Sequence, residues 1–269
     1  MEAQTFTDFE VLVNLDNPHL SAEFSKIELL FSHDDRFIFL RNKQNLGVAE
    51  TQKISLEMSR GSYLAFQAED NLLHADYLIK IYDEIIKGDS EEFISFCSAN
   101  ILAQKIFSIK HVSEIPVFKA RSSDEVCDYL LIGKSVFFAF DTVCMSRNLA
   151  ISSFSMALKY SPIEDLAMIF FSLQKQVKPT IIEDLLVTKL FRKDSYSNKL
   201  EFSEICRQGR LLTQHIKNSR AKKISELLHS NNLLLTLKGA FILHFHRPNL
   251  FWRILKQRSI RLLLHKLLS

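Results

Sequence analysis

RNKQNLGVAETQKISLEMSRGSYLAFQAEDNLLHADYL, residues 41–78, is the stretch whose reading decides the fold. Val48 to Arg60 reads as a helix with Gly61 as its C-cap, because glycine tolerates the left-handed conformation such a cap needs. YLAFQ (63–67) is a short run of strand formers. Ala68-Glu69-Asp70 follows at its carboxyl end. Leu78, Ile81, Tyr82, Ile85 and Ile86 then form the apolar stripe of another helix, followed by Gly88.

Working outward, the same alternation fills the first ninety residues. FEVLVNL (9–15) and FIFLR (37–41) read as strands, and Leu20, Phe24, Ile27, Leu30 and Phe31 repeat at helical spacing between them. Strand–helix repeated three times implies right-handed crossovers and a parallel sheet. In open α/β sheets ligands sit beyond the carboxyl ends of the strands. Asp16 after the first strand, and Glu69 and Asp70 after the third, therefore belong on the ligand edge. The chain enters its first strand with only eight residues ahead of it.

Residues 93–160 are mixed, with strand-like ISFCSA and SVFFAF. Ser161-Pro162-Ile163-Glu164 reads as a helix start: serine as N-cap, proline in the first turn, and glutamate closing a capping box. Residues 181–191 are strand-like, and the pattern from 200 onward is helical.

Composition narrows the function. With 6 glycines in 269 residues, neither G-x-G-x-x-G nor G-x-x-x-x-G-K-[ST] occurs, which excludes the common glycine-rich phosphate loops. Cys97, Cys127, Cys144 and Cys206 form no C-x-x-C and have no histidine at zinc-ligand spacing, so they read as reduced, mostly buried thiols. His244-x-His246 lies in an apolar, basic stretch and is not read as a metal site. The acidic, polar N-terminus is no signal peptide, and no run is long enough for a membrane-spanning helix. A cytoplasmic location is expected. Net charge is +3, yet residues 200–269 carry 13 Lys/Arg against 3 Asp/Glu. The chain is an acidic body with a basic tail.

Two segments resemble family 2 glycosyltransferases, which transfer sugars from nucleotide-sugar donors. The first is DFEVLVNLDNP (8–18) continued by residues 41–78, in the order acidic turn, N-x-G, helix, G-[ES]-Y strand, acidic motif and [PA]-D-Y-L. The second is IEDLAMIF (163–170) with LFRKDSYSNK (190–199), which looks like the family's E-D motif and its closing R-x-x-x-x-S segment. The resemblance covers residues 1–199. It implies a GT-A-like α/β nucleotide-sugar-binding domain with a mostly parallel sheet flanked by helices, and leaves 200–269 as a basic helical extension.

The resemblance also implies roles. Asp16 matches an aspartate that accepts a hydrogen bond from the nucleotide base. Asp70 matches the last acid of the D-x-D motif that holds Mn²⁺ or Mg²⁺ against the donor diphosphate, with Glu69 a further candidate ligand. Asp165 matches the catalytic base of an inverting transfer, and its place in the first turn of a helix favours the ionised form. Asn45, Gly47 and Gly61 match backbone-shaping turns. Arg192 matches the arginine near the donor phosphates. Glu164 is assigned to the capping box.

Two departures stand out. Ala68 replaces the first acid of the D-x-D motif, and the strand that normally opens the family has no counterpart in the sequence. DNA upstream is expected to encode that strand. These departures keep open a second reading, a catalytically inactive remnant that binds a partner or a membrane. The expected partners of the first reading are a nucleotide-sugar donor and a saccharide or lipid-linked acceptor, in surface polysaccharide assembly. Basic amphipathic stretches toward the end, with Trp252 among Arg253, Lys256, Arg258 and Arg261, suit an anionic membrane surface through residues 246–269. No nucleic-acid-reading motif accompanies the charge.

Overall fold

The computed structural model describes residues 1–69, 71–105, 108–115, 123, 126, 140–191, 202–216, 222–223 and 225–226. Eight strands are found among them: β1 (Val11–Leu15), β2 (Phe37–Arg41), β3 (Tyr63–Ala65), β4 (Leu72–Leu73), β5 (Ile94–Lys105), β6 (Ser108–Ile115), β7 (Val143–Ser146) and β8 (Thr180–Phe191). The helices are α1 (Ser21–Leu30), α2 (Val48–Met58), α3 (Tyr77–Ile85), α4 (Arg147–Ala157), α5 (Glu164–Gln174) and α6 (Phe202–Thr213). The α/β class and the first three strand–helix units follow the hydrophobic periodicity.

The pairing differs from the expected mostly parallel sheet. β1 and β2 form a parallel pair, and β5 and β8 are parallel. β3·β7, β5·β7, β4·β8 and β5·β6 are antiparallel. The larger sheet runs β3-β7-β5-β8-β4, with β6 added to β5. The physical reason lies in β7. It follows directly on a 3₁₀ turn at Phe140–Thr142 and runs antiparallel to both β3 and β5, so the strands beside it cannot share one direction with it.

The core sits on both faces of this sheet. Ile94 and Phe96 on β5, with Val143 and Met145 on β7, point to the face covered by α4 and α5. Their neighbours Cys97 and Cys144 point the other way, toward Tyr77 and Ile81 of α3. This is the period-2 alternation of a strand buried on both sides. α5 is buried at Glu164 and at every position from Leu166 to Leu173, which explains why EDLAMIFFSLQ is apolar nearly all round. α6 docks through His215 just beyond it, whose Nε2 meets the Tyr160 hydroxyl at 2.8 Å. Burial, with Lys159 and Lys222 nearby, lowers the His215 pKa.

Two cap assignments are corrected. α2 ends at Met58 with Ser59 as its C-cap, and Gly61 is not left-handed. Gly61 instead donates its N–H to Glu10 at 3.1 Å, and a Cβ there would meet the Tyr63 carbonyl oxygen at 3.3 Å. Glu10 also accepts from the Arg60 N–H at 2.5 Å, tying the start of β1 to the approach of β3. The capping box at Ser161 is not the helix start: the Ser161–Pro162 bond is cis and α5 begins at Glu164 with Ile163 as N-cap. Burial raises the Glu164 pKa.

Cys97 and Cys144 are free and buried. Burial pushes both thiols up to about 12. Cys127, SVFFA at 135–139 and the tail at 246–269 lie outside the described residues. No described helix is long and apolar enough to cross a membrane.

Candidate active site

Three chain segments converge where β3 ends. Phe66, just after β3, stacks on Phe140 with ring centroids 4.2 Å apart. That stack sets the acidic turn against the 3₁₀ turn that carries Asp141. The turn closes when the Asn71 N–H donates to the Ala68 carbonyl at 3.2 Å, and Gln67 Nε2 braces it on the Asn71 carbonyl at 3.0 Å. Glu69 is exposed at its tip.

Asp141 is 3% exposed and supplies the acceptor for both flanks of the turn. One carboxylate oxygen takes the Ala68 N–H, and the other takes Asn71 Nδ2 at 2.7 Å. The Asp141 carbonyl accepts from the buried Tyr77 hydroxyl at 3.1 Å. Asn71 Oδ1 in turn accepts the Leu190 N–H at 3.1 Å, near the end of β8.

Asp165 stands in the first turn of α5, and its Oδ1 accepts its neighbour Leu166's N–H at 2.6 Å. Burial raises its pKa, the nearby Asp141 charge adds to the rise, and the Leu166 N–H and the Lys189 cation oppose it. The helix-end position was expected to favour the charged form. Burial outweighs it, which leaves a carboxylate more basic than an ordinary aspartate.

Asp16 belongs to a different network at the end of β1. Its Oδ1 accepts from Asn42 Nδ2 at 2.9 Å and the Leu46 N–H at 2.8 Å, and its Oδ2 accepts from the Gly47 N–H at 2.9 Å. Partial burial opposes ionisation, but these donors and Thr51 overcome it and lower the Asp16 pKa. Gly47 has φ +82°, where glycine is at home, so the N-x-G turn is backbone-shaping as expected.

The structure thus brings Asp165, Lys189, Asp141 and the flanks of the acidic turn together. Asp16 is bound to its own turn. Asp70 and Arg192 lie outside the described residues. Among the described residues no group of three His, Cys, Asp or Glu side chains could hold a metal ion. A divalent cation held by one or two carboxylates and substrate phosphates needs no such group. An exposed carboxylate on a turn anchored at its base, as at Glu69, fits that donor chemistry. Sequence reasoning missed Asp141, Asn71 and Lys189. The available signal was Asp141 itself, a lone acid closing the apolar run SVFFAF.

No family model matches the chain. Among curated proteins it is 32% identical over 69 residues to the uncharacterized glycosyltransferase MJ1057 of Methanocaldococcus jannaschii, covering 26% of this chain and 24% of that one. Among solved structures it superposes on residues 1–349 of Staphylococcus aureus TarS with a TM-score of 0.57 and 13% identity, over 92% of this chain and 66% of that one. Against the same TarS fragment in complex with UDP the TM-score is 0.58 at 12% identity, over 98% and 79%. The chain spans about a quarter of the length of the curated relative and just under two thirds of the first TarS chain. The mixed, curled sheet flanked by helices is the TarS fold.

Proposed function

We propose that the chain is a glycosyltransferase of the family 2 type, which moves a sugar from a nucleoside-diphosphate donor to a saccharide or lipid-linked acceptor with inversion. The observation that carries this reading is the placement of Asp165. A half-buried carboxylate with a raised pKa in the first turn of α5 shares its electrostatic surroundings with Asp141, the residue that anchors the acidic turn, in a fold shared with a UDP-binding structure.

In this reading Asp165 takes the proton of the acceptor hydroxyl as that oxygen attacks the anomeric carbon. A raised pKa suits the task, because a base close to the working pH takes a proton with more driving force. Lys189 keeps a cation near the carboxylate while it is charged. Glu69 and Asp70 would hold Mn²⁺ or Mg²⁺, which when bound neutralises charge on the departing diphosphate. Asp16 is assigned to accept a hydrogen bond from the nucleotide base at the turn it closes, and Arg192 is assigned to the donor phosphates. Surface polysaccharide assembly at a membrane face, with residues 246–269 on anionic lipid, is the setting proposed.

The test is nucleotide release from a panel of nucleotide sugars with Mn²⁺, comparing wild type with Asp165→Asn. Turnover unchanged by the substitution would remove the base assignment. Ala68 favours a second reading, an inactive remnant that serves as a binding protein. Absence of turnover with every donor, alongside retained binding of UDP, would favour it.

A further inference from the structure

We infer that Asp141 and Asn71 are a positioning pair that fixes the flanks of the acidic turn, Ala68 and Asn71, against the end of β8. The pairing stands on geometry alone. Its consequence for catalysis rests on the glycosyltransferase reading.

A carboxylate taken out of water must be compensated by hydrogen bonds or a cation. Asp141 is buried, and among the described residues its oxygens are satisfied by two donors from one turn, the Ala68 N–H and Asn71 Nδ2. Asn71 is equally buried, at 3% exposure, and its side chain is used at both ends. It donates to Asp141 and accepts from Leu190. The polarity of this chain of bonds runs one way: Ala68 N–H to Asp141, Asn71 amide to Asp141, Leu190 N–H to Asn71 carbonyl oxygen. Each group can therefore occupy one orientation only.

Three segments distant in sequence are locked by these bonds: the turn after β3, the turn before β7 and the end of β8. Tyr77 of α3 adds a fourth point through the Asp141 carbonyl. Lys189 precedes Leu190 directly, and the charges that act on Asp165 are Lys189 and Asp141. The pair thus ties the acidic turn to the end of β8 that carries Lys189, whose charge acts on the proposed base. Displacement of a reacting group by about 1 Å can lower a rate on the order of a hundredfold.

The pattern of polarity makes a sharp test. In Asp141→Asn the new carboxamide can serve the Ala68 N–H and turn its own N–H toward Asn71. Asn71 must then flip, and its amide meets the Leu190 N–H, donor against donor. Asn71→Asp sets two carboxylates face to face. The double substitution Asp141→Asn with Asn71→Asp restores every bond with the groups exchanged. Hydrogen exchange of the Ala68 and Leu190 amides is measured in the full chain for all four proteins. Donor turnover and the half-saturating Mn²⁺ concentration are measured beside it.

Each single substitution is expected to speed exchange at both amides by about tenfold or more, as loss of a buried hydrogen bond implies. It is also expected to raise the half-saturating Mn²⁺ concentration while leaving the acceptor KM unchanged. The exchanged pair is expected to recover both. Unchanged Leu190 exchange in either single variant, or an exchanged pair no better than the singles, overturns the proposal. If the singles do not fold, a folded exchanged pair with wild-type exchange supports it, and an unfolded one overturns it. Wild-type protein that releases no nucleotide from any donor counts against the glycosyltransferase reading, while the exchange data still decide the pairing.

Discussion

The Asp16 carboxylate accepts the Gly47 N–H at 2.9 Å across 31 residues of sequence, and so closes the turn that launches α2 onto the carboxyl end of β1. Gly47 sits at φ +82° and ψ 166°, a region that residues with a Cβ avoid. A Cβ there would meet nothing within 4 Å, so the penalty of a side chain is purely conformational. Gly47→Ala is expected to destabilise the protein by about 1–3 kcal/mol. Thermal melting followed by circular dichroism measures it, and an unchanged midpoint would show that the turn relaxes.

The same carboxylate gives a pH dependence. The donors around Asp16 lower its pKa in the folded chain. Its contribution to stability is therefore complete above the unfolded pKa and is lost as pH falls through the lower folded one. Asp16→Asn should weaken the protein at neutral pH and flatten its loss of stability below about pH 4. Urea midpoints at pH 3, 5 and 7 compare the two proteins. Parallel curves would mean that the carboxylate charge contributes nothing.

Asp165 has the opposite sign. Burial raises its folded pKa, so the charged form is disfavoured in the folded chain and stability falls as pH rises through that pKa. Asp165→Asn keeps an oxygen for the Leu166 N–H and removes the partly desolvated charge. It should raise the melting temperature near neutral pH while lowering donor turnover by roughly 10²–10⁴-fold. A variant that is both less stable and fully active would contradict both halves of the argument.

The first half of the fold was legible because its periodicity is local. β2 falls at Phe37–Arg41 as FIFLR indicates, and α3 lies within the stripe of Leu78, Ile81 and Ile85. The sheet's mixed direction was not legible. It depends on β7, four residues that pair with β3 and β5 across long sequence separations. The capping box failed for a related reason, since Ile163 is buried in the core and α5 starts one residue after it. Motif spacing singles out Asp165, which stands near Asp141 and Lys189, and Asp16, which closes its own turn. Asp141 could not, because its value comes from three partners between 64 and 73 residues away.

The two buried thiols resist modification in the folded protein. Cys97 and Cys144 lie on the α3 face of the sheet, each 3% exposed. Burial is the largest cause of their raised pKa, about 12 for both, and for Cys97 the neighbouring Cys144 and Asp141 charges add to it. The thiolate is the reactive form, and at pH 8 almost none is present at such a pKa. Iodoacetamide at pH 8 should leave both residues unmodified in the folded protein and modify both in urea, with mass spectrometry locating the labels. Because Cys97 packs beside Tyr77, whose hydroxyl holds the Asp141 carbonyl, Tyr77→Phe tests whether this face opens when that bond is lost. The packing survives the substitution in shape, so labelling of Cys97 should stay slow. Fast labelling of native wild-type protein would show that the α3 face opens far more readily than its burial implies.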